Sequence, residues 1–283
     1  MTRKRLSLAA LLLCLAVASG AALAQQFYRR GNPRALPGDR SGVPNWKVDE
    51  RFKNDVFTFV RVEYDSAWYA GGRRRGYGGG WLTDWPDSDL NFSFRLQQLT
   101  SLKVNPVPIT KRLTDEDLFD YPFLYMIEPG ALSFSDDEVI ALRKYLLNGG
   151  FLMVDDFWGD FQWQNFYEQI KRVFPDREPV ELDVSHPIFQ CVYRLKEKPQ
   201  VPSIHQWGWN QGVTWENHGP GSETVHYRAI FDDKERMVAI ICHNTDLGDG
   251  WEREGEDPTY FKEFSEKKAY PMGINIVTYA MTH

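Results

Sequence analysis

The sequence predicts an α/β fold with a mostly parallel sheet and helices on both faces. Three observations carry this. "YPFLYMI" (121–127) and "FLMVDDF" (151–157) open as continuous apolar runs, as expected of strands covered on both faces. Amphipathic helical stretches alternate with such runs along most of the chain. Strands joined through helices of that length imply parallel pairing by right-handed crossovers.

The first residues stand apart. Arg3, Lys4 and Arg5 precede an apolar stretch from Leu6 to Val17 and a small-residue site at Ala22-Leu23-Ala24. That is the layout of a secretory signal peptide (1–24), too short and weakly flanked for a stable membrane span. The expectation is export, to the periplasm or the medium. Cleavage after Ala24 removes three positive charges from a chain already at a formal −6. So acidic a chain argues against nucleic-acid binding, which needs a cationic field. The mature chain suits one large α/β domain and keeps two cysteines, Cys191 and Cys242. Both have apolar neighbours and read as buried free thiols.

Residues 25–54 are polar, basic and broken by Pro33, Pro37 and Pro44, an irregular lead-in to a domain over 55–283. "VFTFVRVEY" (56–64) is β-branched and aromatic, hence a strand. A helix follows from about Asp87, with Phe92, Leu96 and Leu99 on one face. "NPVPI" (105–109) suits an edge strand, since proline is tolerated only at edges. The next helix opens with a Ser135/Glu138 capping box, buries Val139, Leu142 and Leu146, and ends at Gly149. Trp163, Phe166, Ile170, Val173 and Phe174 recur at helical spacing. "MVAIICHN" (237–244) is another strand, and Met272, Ile276, Tyr279 and Ala280 line a final helix.

In such sheets ligands bind beyond the carboxyl ends of the strands, where strand order reverses. A flavodoxin-like order sets the strands ending at Tyr64, Ile127, Asp156 and His243 side by side, about 5 Å apart. Glu63, Tyr64, Asp65, Glu128, Asp155, Asp156, His243, Asn244 and Asp246 then gather along one rim.

Several segments carry a resemblance: "FDYPFLYM", "FSDDEVIALRKYLLNGGFLMVDDFWG", "RVFPDREPVELDVSHPIF", "NTDLGDGWE" and the closing "GINIVTYAMTH". From about Phe57 to His283 the chain resembles the bacterial family catalogued as domain of unknown function 4159. The resemblance implies a class I glutamine amidotransferase-like, flavodoxin-like fold and brings no established activity or cofactor. Amidotransferases of that class place a cysteine on the turn after a central strand. Here the turn Asp155-Asp156-Phe157-Trp158-Gly159 holds no cysteine, serine or threonine, which argues against covalent thiol catalysis.

The rim acids have two readings. Asp155 and Asp156 alternate across the strand, so one suits a helix cap and the other the rim. Asp156 with His243 and Asp246 is a candidate catalytic set, able to act as general acid and base or to hold a divalent metal. The spacing matches no defined metal motif. "HNTDLGDGWE" (243–252) adds Asn244, Asp249 and Trp251 as candidate ligand contacts, or else an Asx-rich turn satisfying its own backbone. Tyr64, Glu128, Asp155 and Trp158 are further rim candidates. "GGRRRGYGGGW" (71–81) reads as a basic lid or a disordered stretch, with Arg74 facing an anionic ligand. Residues 199–228 interrupt the alternation as an aromatic-rich insertion. Trp207 and Trp209 there could stack on a sugar, or pack among themselves. The leading expectation is an exported protein binding a carbohydrate or other envelope ligand, small molecule or glycan, at this edge. The alternatives are a non-covalent, metal-assisted hydrolase and an envelope scaffold.

Overall fold

The computed structural model describes residues 34–53, 55–66, 80–209 and 212–283. The export signal, Arg74 and nearly all of the glycine–arginine stretch lie outside the described residues, as does the side chain of Trp209. Residues 39–283 form one unit. Its elements alternate as the apolar pattern requires: β1 (Val60–Glu63), β2 (Asp65–Ser66), α1 (Asp87–Leu99), β3 (Ile109–Arg112), β4 (Phe123–Ile127), β5 (Leu132–Ser133), α2 (Asp136–Leu147) and β6 (Phe151–Asp155). Then follow α3 (Gly159–Val173), β7 (Val180–Glu181), α4 (Ile204–Trp209), β8 (His226–Phe231), β9 (Met237–His243) and α5 (Leu247–Glu252). The chain ends in α6 (Pro258–Tyr260), a π-helical run Phe261–Ala269 and α7 (Tyr270–Thr282), without a break between them.

Among the described residues seven strands form one sheet in the order β3-β1-β4-β6-β9-β8-β7, and β2 pairs with β5 apart from it. The first five are mutually parallel, while β8 and β7 add antiparallel to one edge. Strand order reverses between β1 and β4, the place where such sheets open a crevice beyond their carboxyl ends. The strands ending near Tyr64, Ile127, Asp155 and His243 therefore do stand abreast.

Each strand face has its own core. Phe59, Tyr125, Met153, Ile240 and Cys242 pack with Phe92, Trp251, Tyr260 and Met272, so α1, α5 and the C-terminal helices cover one face. Val62, Leu124, Val154 and Ile241 pack with Leu142, Leu146, Phe166 and Ile170, so α2 and α3 cover the other. Burial on both faces is why the central strands carry no polar alternation. The capping box on α2 forms as its spacing requires, with Ser135 and Glu138 each bonding the other's backbone amide, and Gly149 takes φ 108° past its end.

Three local expectations are corrected. The edge strand is Ile109–Arg112 rather than 105–109, because Pro106 and Pro108 have no amide and ladder bonding resumes at Ile109, whose N donates to Phe59 O (3.0 Å). Leu99 is 50% exposed at the last turn of α1, where the helix runs past the core. Both cysteines are free, but Cys191 is exposed in a loop, where its thiol donates to the Asn275 carbonyl (3.3 Å). The lead-in is partly built into the domain: Trp46 Nε1 donates to Val104 O (2.8 Å) and Arg40 to Pro106 O (2.7 Å).

Candidate functional site

Three strands leave the sheet in the same way. Just past β4, β6 and β9, Glu128 (φ 48°), Asp156 (φ 55°) and Asn244 (φ 61°) occupy the left-handed region, and Asp84 (φ 60°) does so in the turn before α1. Non-glycine residues hold that conformation only where their surroundings impose it, and such residues gather at functional sites. The surroundings are visible. Glu128 N donates to Asp155 O (3.1 Å), Asp156 N to Thr245 O (3.1 Å) and Asn244 N to Phe157 O (2.9 Å), so each turn is stitched to its neighbour. The Tyr64 hydroxyl lies 2.7 Å from the carbonyls of both Ile127 and Glu128 and braces the first of them.

Carboxyl groups converge behind these turns. Asp155 is fully buried; its Oδ2 accepts from the Tyr125 hydroxyl (3.1 Å) and from Gly248 N (3.0 Å). Burial lifts its pKa to about 7 against those two donors, because a charged carboxylate loses hydration there. Glu128 is also lifted to about 7 by burial, opposed by the Gly80 amide on its Oε2 (2.7 Å). Asp156 is raised well above the carboxylate range by burial first, then by the charges of Glu128 and Glu216. Its Oδ1 accepts from Trp158 Nε1 (3.0 Å). Asp246 is raised by burial and then by Asp156 and Asp249, while it caps α5 by accepting from Asp249 N (2.6 Å). The Asp246–Asp249 segment is thus the first turn of a short helix rather than a free loop.

His243 does not join them. Ile241 belongs to the core beneath α3 and Cys242 to the opposite one, so the two-residue period sends the imidazole to the α3 side. It packs against Phe157 (4.8 Å) and Trp163 (5.2 Å), with Nδ1 at 3.2 Å from the Arg228 guanidinium and Nε2 at 3.2 Å from Gly159 O. Burial, followed by the Arg228 charge, holds its pKa down to about 3, and it stays neutral. Of the expected catalytic set, Asp156 and Asp246 come together and His243 is excluded.

Three of the tryptophan candidates pack against other rings or into the core. Trp158 and Trp251 are 1% and 0% exposed, and Trp251 lies 4.3 Å from Phe92 in the core. Trp207 is half-buried and packs on Tyr260 and Phe264 (5.9 Å each) of the C-terminal segment rather than on rings of its own loop. Asn244 spends its amide on architecture, with Oδ1 accepting from Gly159 N (2.8 Å) and Nδ2 donating to Gly221 O and Thr224 O.

The family model for the domain of unknown function DUF4159 matches residues 58–281. The chain belongs to that family. No curated protein matches it. The matched span of this DUF4159 domain contains every acid described above.

Within the DUF4159 domain the structure adds residues that no sequence signal marked. Glu216, in the interruption after α4, is buried and accepts from Ser203 N (2.6 Å) through Oε1. Its Oε2 lies 3.2 Å from His218 Nε2, and Gln162 Nε2 donates to His218 Nδ1 (3.3 Å), which assigns the proton to Nε2. His218 was too scattered from other histidines to suggest a set; its partners are a carboxylate and an amide. Asp84 and Glu252 also join, one from the turn before α1 and one from α5. A separate groove of about 270 Å³, lined by residues such as Trp46, Phe52, Leu102 and Lys103, contains none of these groups.

Gly248 tests how tightly the wall is built. A Cβ there would lie 2.8 Å from the Tyr125 hydroxyl and 2.9 Å from Asp84 Oδ2. Gly248→Ala is therefore expected to lower stability by about 1–3 kcal/mol through overpacking. Thermal denaturation checks this, and a loss under about 0.5 kcal/mol would show that the wall gives way freely.

Proposed function

We propose that this is an exported, non-covalent hydrolase whose acid–base pair is Asp156 and Glu128. The observation that carries the reading is the placement of two acids on imposed left-handed turns at the ends of neighbouring strands β4 and β6. Burial raises the proton affinity of both, Glu128 to about 7, and the charge of Glu128 raises Asp156 further. Two like charges in a site poor in water do not both ionise. One group keeps its proton and serves as acid; the other loses it and serves as base.

Export is supported by the basic–apolar–small pattern of residues 3–24. No helix among the described residues is long and apolar enough to cross a membrane. A flavodoxin-like, amidotransferase-like assignment is supported by the order of the five parallel strands, which in chain order read second, first, third, fourth, fifth. Thiol chemistry finds no support. Cys242 is buried inside β9 and Cys191 sits in an exposed loop, and burial raises the pKa of both. The burial of Trp158 and Trp251 leaves neither ring free to stack on a sugar.

The mature chain should be assayed against chromogenic esters, phosphoesters, glycosides and peptide amides. Turnover of one class is expected, with Glu128→Gln and Asp156→Asn each lowering kcat roughly 10²–10⁴-fold. Full activity in either variant removes the pair from the chemistry, and no turnover of any class refutes hydrolysis.

A further inference from the structure

Asp249 and Glu252 are three residues apart on α5, so their side chains share a face. Asp84 meets that face from the turn before α1. One carboxylate oxygen from each of the three lies within 4.8 Å of the other two. Hard oxygen donors without nitrogen or sulfur suit calcium, magnesium or manganese. Two oxygens on opposite sides of a calcium ion, at about 2.4 Å each, stand as far apart as this set allows.

A second observation points to a missing positive partner. Asp84 Oδ2 is buried and accepts no hydrogen bond, and neither does Oδ1 of the fully buried Asp155 nearby, whose other oxygen binds the first turn of α5. Buried acceptors without donors are rare because desolvation is left uncompensated. The neighbouring cations do not supply the lack. Arg61 spends its guanidinium on Asp89, Ser88 and the carbonyls of Trp81 and Thr83. Arg253 ion-pairs with Glu252 Oε2 and lies 3.5 Å from Asp249 Oδ1, a single positive charge beside three carboxylates. The ligands are held in place from behind. Ile204 N donates to Asp249 Oδ2 (2.6 Å), and the bonds of Arg61 to the 81–83 backbone fix the turn that carries Asp84.

We propose that Asp84, Asp249 and Glu252 form a divalent-cation site at the carboxyl edge of the sheet. A dication there neutralises the surplus of carboxylates and sits beside the Asp156–Glu128 pair, where it would polarise a bound substrate. As part of the hydrolytic edge the site rests on the reading above, but cation binding needs no substrate, so the two can fail separately.

The test is isothermal titration of the chelator-stripped mature chain with calcium, magnesium and manganese, and terbium luminescence sensitised through Tyr260, whose hydroxyl lies 3.5 Å from Asp249 Oδ2. A Kd of about 10⁻⁴ M or tighter is expected for at least one ion. Asp84→Asn and Glu252→Gln should each weaken it at least about 10-fold with circular dichroism unchanged. Asp136→Asn, at a side chain 96% exposed on α2, should leave it unaltered. Should either ligand variant fail to fold, the wild-type titration and the remaining variant decide. Folded wild-type protein that binds none of the ions at about 10 mM overturns the site, as does equal affinity in both ligand variants. Binding without turnover keeps the cation and discards the hydrolase.

Discussion

Arg61→Met is expected to lower the melting temperature by about 10 °C or more, the largest effect of any single change considered. Arg61 and Asp89 are both 0% exposed. The guanidinium donates through Nε to both Asp89 oxygens (3.0 and 3.2 Å), through Nη2 to Ser88 Oγ (2.9 Å), and through Nη1 to the carbonyls of Trp81 (3.0 Å) and Thr83 (2.6 Å). It also lies over the rings of Tyr125 (5.2 Å) and Trp85 (5.9 Å). Burial favours the neutral guanidine, but the charge of Asp89 and its hydrogen bonds outweigh it, and Arg61 stays charged. Methionine fills similar space and leaves Asp89 buried, charged and without its main partner, which costs about 3–5 kcal/mol. That is a large share of the roughly 5–15 kcal/mol that holds a domain folded. Thermal unfolding gives the single effect. The double change Arg61→Met with Asp89→Leu should recover most of the loss, because no buried charge then remains unpaired. A drop under about 2 °C in the single variant would show that the charge finds relief elsewhere.

In chelator, stability should fall as pH rises from about 5 to 8, opposite to the usual behaviour of carboxylate-rich proteins. Asp155, Glu128 and Glu252 are held near 7, and Asp84, Asp156, Asp246 and Asp249 are also raised, all with burial as the leading cause. Their unfolded values lie near 4. Between about pH 4 and 7 the folded chain therefore binds more protons than the unfolded one, and raising pH favours unfolding. A single such group accounts for about 4 kcal/mol at most, and coupled groups do not simply add. Two opposing contributions are weaker or lie elsewhere. His243, held near 3, adds stability as pH rises to about 6.5 and is silent above that. Glu181, held down near 2 by His226 and Lys198 despite burial, matters only below its unfolded value of about 4.5. The window from pH 6.5 to 8 is therefore the cleanest. Differential scanning calorimetry should show the melting temperature falling there by several degrees, and millimolar calcium should restore it. Asp155→Asn, which has no titrating proton, should reduce the slope. A flat or rising profile would contradict the burial of these charged groups.

Much of the architecture was legible. Two-face-buried strands announce themselves as unbroken apolar runs, and the Ser135/Glu138 pair marks a helix start because both ends of the capping box are local. The antiparallel β7–β8 edge was not legible. Residues 226–231 mix His226, Tyr227 and Arg228 with apolar groups, and such a segment becomes a strand only because β9 is there to pair with it. The aromatic segment from 199 left its packing open for a related reason. Tryptophans beside amides look the same in sequence whether they face solvent or, as Trp207 does, the rings of Tyr260 and Phe264.

By itself the sequence determined that strands and helices alternate, that the strands run mostly parallel, and that polar residues follow β4, β6 and β9 at one edge. These properties arise from local periodicity, capping and the geometry of crossovers, which adjacent residues specify. Only the tertiary structure decided which acids meet. Asp84, Glu216 and Glu252 reach the edge from three separate segments, while His243, one residue from the end of the same ledge, is turned to the far face by the pleat of its strand. The reason is that a side chain's direction depends on strand parity and on what packs behind it, and a carboxyl group's chemistry depends on charges contributed by segments that only folding brings near.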